Sequence, residues 1–341
     1  MRGLVLLGDS RAEVREVPVP ALRDGWVRVK VVVGGVCGSD LHFYHTSAEA
    51  LGPRVGQVIG HEAAGIVEAV GAGVSAVGPG DRVSVAHWFG CGHCRWCIQG
   101  YPQFCDEGIG IAASGNGSSA EYVTAPERNC MPLPESLSFA AGACMACCVA
   151  TAYSALRKVE ASGRHNLVVF GLGPVGLSVV MEAKAMGARV IGVEGIPERL
   201  ALATDLGADA VVDFTDCDPL EAIRDLTSGR GADIAIETSG STVGRAQLVE
   251  ALGIQGRGVY IGLGREKAAI DPTPVIHGEK VLMGSYVLPI TLYDEMATFL
   301  VERKVPVDAM VTHHFSIDQG AEAFALFDRR HTGKVVFDFA P

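Results

Sequence analysis

Between residues 166 and 287 the sequence repeats one beat, a short apolar run followed by a helical stretch. NLVVF (166–170) leads into GLGPVG (171–176), which opens a helix running to about Gly187. RVIGVE (189–194) leads into PERLALATDLG (197–207), with proline in the first helical turn. AVVDF, DPLEAIRDLT, ADIAIETSG, RAQLVEALG, RGVYIGLG and VLMGSYV (281–287) continue the alternation. Strands separated by helices of this length pair through right-handed crossovers, so the segment predicts a six-stranded, doubly wound parallel sheet. The chain is of the α/β class.

Up to about residue 147 the rhythm is different. WVRVKVVVGGV (26–36), AAGIVEAVG (63–71) and GDRVSVAHW (80–88) are strand-length and are broken by glycine. They predict an all-β body with long loops, with LVLLG (4–8) as its first strand. The last fifty residues are expected to return to that body, with KVVFDF (334–339) as a closing strand.

Gly171, Gly173 and Gly176 form a G-x-G-x-x-G pattern around Pro174 and Val175. With 43 glycines in 341 residues the pattern alone says little. Its context says more, because it follows a strand and opens a helix, so backbone N–H groups can face a pyrophosphate. Glu194 ends the next strand, 18 residues past Gly176. A carboxylate there accepts from ribose hydroxyls and repels a 2′-phosphate, which favours NAD over NADP. Arg199 softens that preference if it swings towards the ribose.

Twenty-eight basic residues face 39 acidic ones, for a net charge of −11, and no basic run stands out. A nucleic-acid or anionic membrane surface is therefore not expected. The apolar runs are far shorter than the ~20 residues of a membrane helix. Ten cysteines without a signal peptide suggest a reducing, cytoplasmic setting, where thiols are ligands or core groups rather than disulfides.

Four of those cysteines lie in CGHCRWCIQGYPQFC: Cys91, Cys94, Cys97 and Cys105. Four thiolates from one short loop fit a closed tetrahedral zinc shell, which leaves no position for substrate. A more dispersed set comes from VCGSDLHFYH, with Cys37, Ser39, Asp40, His42, Tyr44 and His45, and from GHEAAG, with His61 and Glu62. Taken singly these residues are ordinary core thiols or surface histidines. Beside a nucleotide-binding fold, Cys37 and His61 suit a zinc that keeps an open position.

CGSD (37–40), GHE (60–62), the four cysteines and GLGPVG together resemble the zinc-containing medium-chain alcohol and polyol dehydrogenase family. The likeness covers nearly the whole chain and keeps the family's motif order. It implies a GroES-like β domain, residues 1–148 with 288–341, carrying both zinc sites. It also implies a Rossmann NAD-binding domain, residues 149–287. By this resemblance Cys37, His61 and Cys147 bind a catalytic zinc, Glu62 can enter its coordination sphere, and the 91–105 cluster binds a structural one. Two zincs per chain follow. Polyol relatives carry glutamate where this chain has Cys147, which tilts the reading towards alcohol or threonine dehydrogenases. Cys144 and Cys148 are nearby competitors expected in the core.

Asp40 would orient His61. Thr151 would pack on the nicotinamide, and Leu263 is placed in the cofactor site. In the mechanism so implied, zinc polarises the alcohol, Ser39 takes the hydroxyl proton and His42 relays it to solvent. Tyr44, His45, His87, Trp88, Val287 and Leu288 are pocket candidates. SYVLP (285–289) offers apolar side chains there, favouring a secondary alcohol/ketone pair, whereas His87 and Trp88 can hydrogen-bond. Polyol and amino-alcohol substrates stand behind that reading. A zinc-free quinone or enoyl reductase and a non-catalytic NAD-binding protein are the rivals. A homodimer or homotetramer, pairing through the 281–287 strand, is expected from the family.

Overall fold

The structure, a computed structural model, describes residues 1–339. Six strands form one fully parallel sheet in the order Ala210–Asp213, Arg189–Glu194, Asn166–Phe170, Ala232–Glu237, Leu252–Tyr260, Val281–Gly284. In chain order this is 3-2-1-4-5-6, and it reverses direction between the first and fourth strands. Ligands of such sheets bind at that reversal, outside the carboxyl ends of the strands. The last strand ends at Gly284, three residues short of the expected 287. Val287 then takes a left-handed backbone (φ +48°), which ends the extended run.

A second, seven-stranded sheet holds the expected β segments. Its order is Val311–Ser316, Lys334–Asp338, Trp26–Val36, Glu62–Val70, Arg82–Val85 and Cys130–Pro132, with Tyr122–Pro126 also paired to Trp26–Val36. The C-terminal strand Lys334–Asp338 therefore lies antiparallel beside Trp26–Val36 in the heart of the first body.

This body is not all β. Helix Gly38–Tyr44 begins one residue past the long central strand, and Phe139–Met145 is a helix buried along most of its length. The run FAAGACM is small and apolar on every side, so periodicity could not separate it from a buried strand. No single helix among the described residues is long and apolar enough to cross a membrane. The bent pair Phe139–Met145 and Cys148–Lys158 approaches that composition, but its residues lie in the main core between the two sheets.

Candidate active site

Strand Trp26–Val36 delivers Cys37 to the N-cap of the next helix. The carboxylate of Asp40, three residues on, accepts from the Cys37 backbone N–H (2.9 Å) and from His61 Nδ1–H (2.9 Å). Both oxygens are thus committed. His61 is fixed in the tautomer whose Nε2 carries a free lone pair. Gly60, just before it, has φ +95°, and a Cβ there would lie 2.4 Å from Ser119 Oγ. The turn that aims His61 therefore admits only glycine.

Cys147 comes from the opposite side. It sits at the break between helices Phe139–Met145 and Cys148–Lys158, which are bent 52° to one another. Its Sγ lies 3.9 Å from Cys37 Sγ. Two thiolates at ~2.3 Å from one tetrahedral zinc stand about 3.8 Å apart, so the spacing fits a shared ion. Cys37, His61, Glu62 and Cys147 each offer a donor atom within 4.8 Å of the others, and all four are buried. The Cys37 thiol is drawn well below its usual range by Cys147 and by His61.

Glu62 is fully buried; burial pushes its carboxyl up, and the Lys334 ammonium pulls it back down. Its Oε2 accepts from Lys334 Nζ, which is also fully buried and donates to Val36 O (2.9 Å). Burial alone would lower Lys334, but Glu62 and the neighbouring thiols outweigh it and hold the ammonium charged. Glu62 Oε1 has no partner among the described residues, so it is free to meet an ion.

Cys91, Cys94, Cys97 and Cys105 also converge within 4.8 Å. Cys91 Sγ lies 4.0 Å from Cys97 Sγ, and the Cys94 backbone N–H points at Cys91 Sγ (3.3 Å). Backbone N–H groups near His93 and Cys94 draw the Cys91 thiol down to about 6, as a thiolate ligand requires. This lobe reaches the active site, because Pro102 and Gln103, which lie inside it, line the cavity beside Cys147.

That cavity is narrow and partly open to solvent. Its wall includes His87, Trp88, Gln103, Thr151, Leu288 and Tyr293. Ser39 Oγ stands 3.4 Å from Cys37 Sγ, and His42 follows on the same helix face, half-buried. Val287 and Leu288 both line the cavity. Tyr44 does not. Four residues past Asp40, it shares that residue's inward face, and its ring packs 5.4 Å from Phe324 in the β-body core. His45 bonds Ser10 and Asp328 at the surface, away from the cavity.

At the glycine turn Gly171 has φ +89°, and a Cβ on Gly176 would lie 1.9 Å from Gly171 O. Helix Pro174–Ala185 can approach the strand that closely only with glycine at 176. Glu194 Oε2 accepts from Leu172 N (3.0 Å) and Oε1 from Gly195 N (2.9 Å), which ties the turn to the ribose-side carboxylate. Arg199 lies 3.7 Å from Glu194, with Nε on Thr332 O (3.1 Å). Its guanidinium thus stands beside Glu194 and within 3.8 Å of where a Cβ on Gly173 would lie. Leu263 is exposed after the fifth strand and lines a wider groove with Arg245 and Tyr286.

Two family patterns match this chain: the alcohol dehydrogenase GroES-like domain over residues 23–135, and the zinc-binding dehydrogenase over 174–302. The chain belongs to the zinc-binding alcohol dehydrogenase family. It is 38% identical to the zinc-type alcohol dehydrogenase-like protein YphC of Escherichia coli, covering 99% of each. It is 32% identical to the D-arabitol-phosphate dehydrogenase of Enterococcus avium, covering 96% of this chain and 93% of that one. Among solved structures, alcohol dehydrogenase TADH from Thermus sp. ATN1 superposes with a TM-score of 0.92 at 28% identity, over the whole of both chains. The protein is a zinc- and NAD-dependent alcohol oxidoreductase with a GroES-like domain and a Rossmann sheet.

The site is also bordered by residues that the motifs did not announce. Lys334 and Gln103 carry no local signal. Tyr293, whose hydroxyl donates to Met145 O (2.5 Å), lies in a stretch that reads only as helix.

Proposed function

We propose that the enzyme oxidises a secondary alcohol to its ketone at the centre formed by Cys37, His61, Cys147 and Glu62. The convergence of these four donors, one of which, Cys147, lines the cavity that also holds Thr151 and Val287, carries the reading. Zinc there supplies a Lewis acid that lowers the pKa of an alcohol hydroxyl, and NAD supplies the hydride acceptor. Asp40 holds the His61 ring, and with it the direction of its free nitrogen. Ser39 Oγ, half-buried beside Cys37, takes the hydroxyl proton. His42, one helical turn on and half-exposed, passes it towards solvent.

Thr151, on helix Cys148–Lys158, offers a surface for the nicotinamide. Trp88, Leu288 and the strained Val287 exclude water around the carbinol carbon. Gly171, Gly173 and the N-terminus of helix Pro174–Ala185 receive the pyrophosphate, and Glu194 receives the ribose.

Cys91, Cys94, Cys97 and Cys105 hold a second zinc, making two per chain. Residues 1–148 with 288–341 form the catalytic unit and 149–287 the NAD-binding unit. The protein works in the cytoplasm as a homotetramer or homodimer. Val281–Gly284 is the bare edge of the parallel sheet and the place for subunit pairing.

Metal content per chain, measured by mass spectrometry on wild type and Cys37→Ser, tests the centre together with NAD reduction on a panel of secondary alcohols. Two zincs falling to one with loss of turnover is the expected result. One zinc in the wild type, with no alcohol oxidised, would transfer the reading to a reductase or an NAD-binding role.

A further inference from the structure

The cysteine lobe carries a second set of metal donors on its outer side. Cys91 Sγ, a ring nitrogen of His93 and a carboxylate oxygen of Glu107 lie within 4.8 Å of one another. Cys91 belongs to both sets, because its Sγ also stands 4.0 Å from Cys97 Sγ among the four thiols. Two separate turns build the outer set. Gly92 takes φ +89°, which folds the chain back so that His93 Nδ1 meets Cys91 O (3.2 Å). Glu107 lies in the turn after Cys105, closed by Gly108 N–H on Cys105 O (2.8 Å). That turn is joined to the first by Cys91 N–H, which points at Cys105 Sγ (3.4 Å).

The two sets differ in access. Cys97 and Cys105 are buried, Cys91 and Cys94 are half-buried, and His93 and Glu107 are exposed. A zinc inside four thiolates has no open coordination position. It can come or go only as one ligand is exchanged for another, and the exchange has to begin at a ligand that solvent reaches. Cys91 is such a ligand, and it has a nitrogen and an oxygen donor beside it. Thiolate, imidazole and carboxylate are each zinc donors, and three of them leave one position for water.

We infer that Cys91, His93 and Glu107 form a loading site for zinc, through which the four-cysteine lobe is filled and exchanged. This rests on the reading of that lobe as a zinc site and goes beyond it. His93, Glu107 and Cys91 take the ion first, with water as the fourth ligand. His93 and Glu107 then let go as Cys94, Cys97 and Cys105 bind, each of these thiols giving its proton to solvent, while Cys91 stays bound throughout. Nothing is oxidised or reduced. Release runs through the same steps in reverse.

The experiment incubates the zinc-loaded, full-length enzyme with a heavy zinc isotope and follows its uptake by mass spectrometry. It compares the wild type, His93→Ala, Glu107→Ala, the double variant and His93→Cys. Each is also made in a Cys37→Ser background, so that the phase shared by the two backgrounds belongs to the lobe. Equilibrium zinc affinity is measured on the same proteins by competition with a chromogenic chelator. The expected result is a lobe exchange rate about tenfold lower in the double variant, with the equilibrium affinity unchanged. Uptake and release pass through the same site, so its loss slows both by one factor. His93→Cys restores a soft donor and should recover most of the rate. An exchange rate unmoved in the double variant would overturn the proposal. Faster exchange with weaker equilibrium binding would overturn it too, because His93 and Glu107 would then only brace the lobe. A Cys37→Ser form with native far-UV circular dichroism but no zinc would overturn the structural-zinc reading itself, and the zinc count shows this before any exchange is measured.

Discussion

Glu62 and Lys334 are 272 residues apart in the chain and meet as a fully buried ion pair behind the four-donor centre. The sheet brings them together: Gly35 is opposite both Glu62 and Val336, on strands to either side of Trp26–Val36. Gly35 is also what makes room. A Cβ there would lie 2.1 Å from Glu62 Oε2 and 3.0 Å from Lys334 Cε. With Lys334 in place, Glu62 is held at the edge of the centre, one oxygen bound and one free.

Removing one member of such a pair leaves a charge stranded in the core. Lys334→Met is expected to destabilise the zinc-loaded enzyme by about 3–5 kcal/mol in urea unfolding, and the double variant Glu62→Met/Lys334→Met to recover most of the loss. A single variant as stable as the wild type would mean that the pair holds nothing.

The strand Trp26–Val36, the glycine turn and the order of the metal-binding motifs were legible because each rests on a local pattern with a physical reason. Alternation marked the strand, and close helix–strand approach required Gly176. Lys334 was not legible, since a lysine in GKVVFDF carries no sign that register will bring it to Glu62. Gln103 was hidden for a related reason: its loop is read through the cysteines, whereas its place in the cavity wall depends on how that loop packs on residues 286–290. Tyr44 was misread from nearness in sequence. On a helix, four residues from a buried aspartate leads to the core, not to the cleft.

Asp40 offers a cleaner probe of the centre, because it touches His61 without being one of the four converging donors. Asp40→Asn keeps the shape but loses the charge that fixes the imidazole tautomer. Zinc affinity at this centre should fall about 10- to 100-fold in competition with a chromogenic chelator, while the metal at the four-cysteine lobe stays bound. Equal loss from both sites would point to general unfolding.

Cofactor choice should follow Glu194. Its two oxygens already take N–H bonds from Leu172 and Gly195, so the carboxylate is held rigidly beside the glycine turn, and under the proposed ribose contact it would repel a 2′-phosphate. Glu194→Ala is expected to lower kcat/KM for NAD by about tenfold or more and to raise it for NADP, with Arg199 then free of its partner. A uniform fall for both cofactors would show that the carboxylate only braces the turn.

Glu182 lies in the interior of helix Pro174–Ala185, fully buried, with neither oxygen partnered among the described residues. Burial, then the nearby Cys148, raises its carboxyl well above the ordinary range, which favours the neutral acid. A folded pKa above the unfolded one means that the native state binds the proton more tightly. The stability from that binding is complete below the unfolded carboxyl pKa of about 4.3 and is lost as pH rises through the folded value. Glu182→Gln removes the titration and Glu182→Met removes the polar group. Both should therefore flatten the fall in melting temperature between pH 5.5 and pH 8.5, and Glu182→Met should melt higher than wild type at the alkaline end. A wild type and a Glu182→Gln variant that lose stability in parallel over this range would place the carboxylate in a solvated or paired setting.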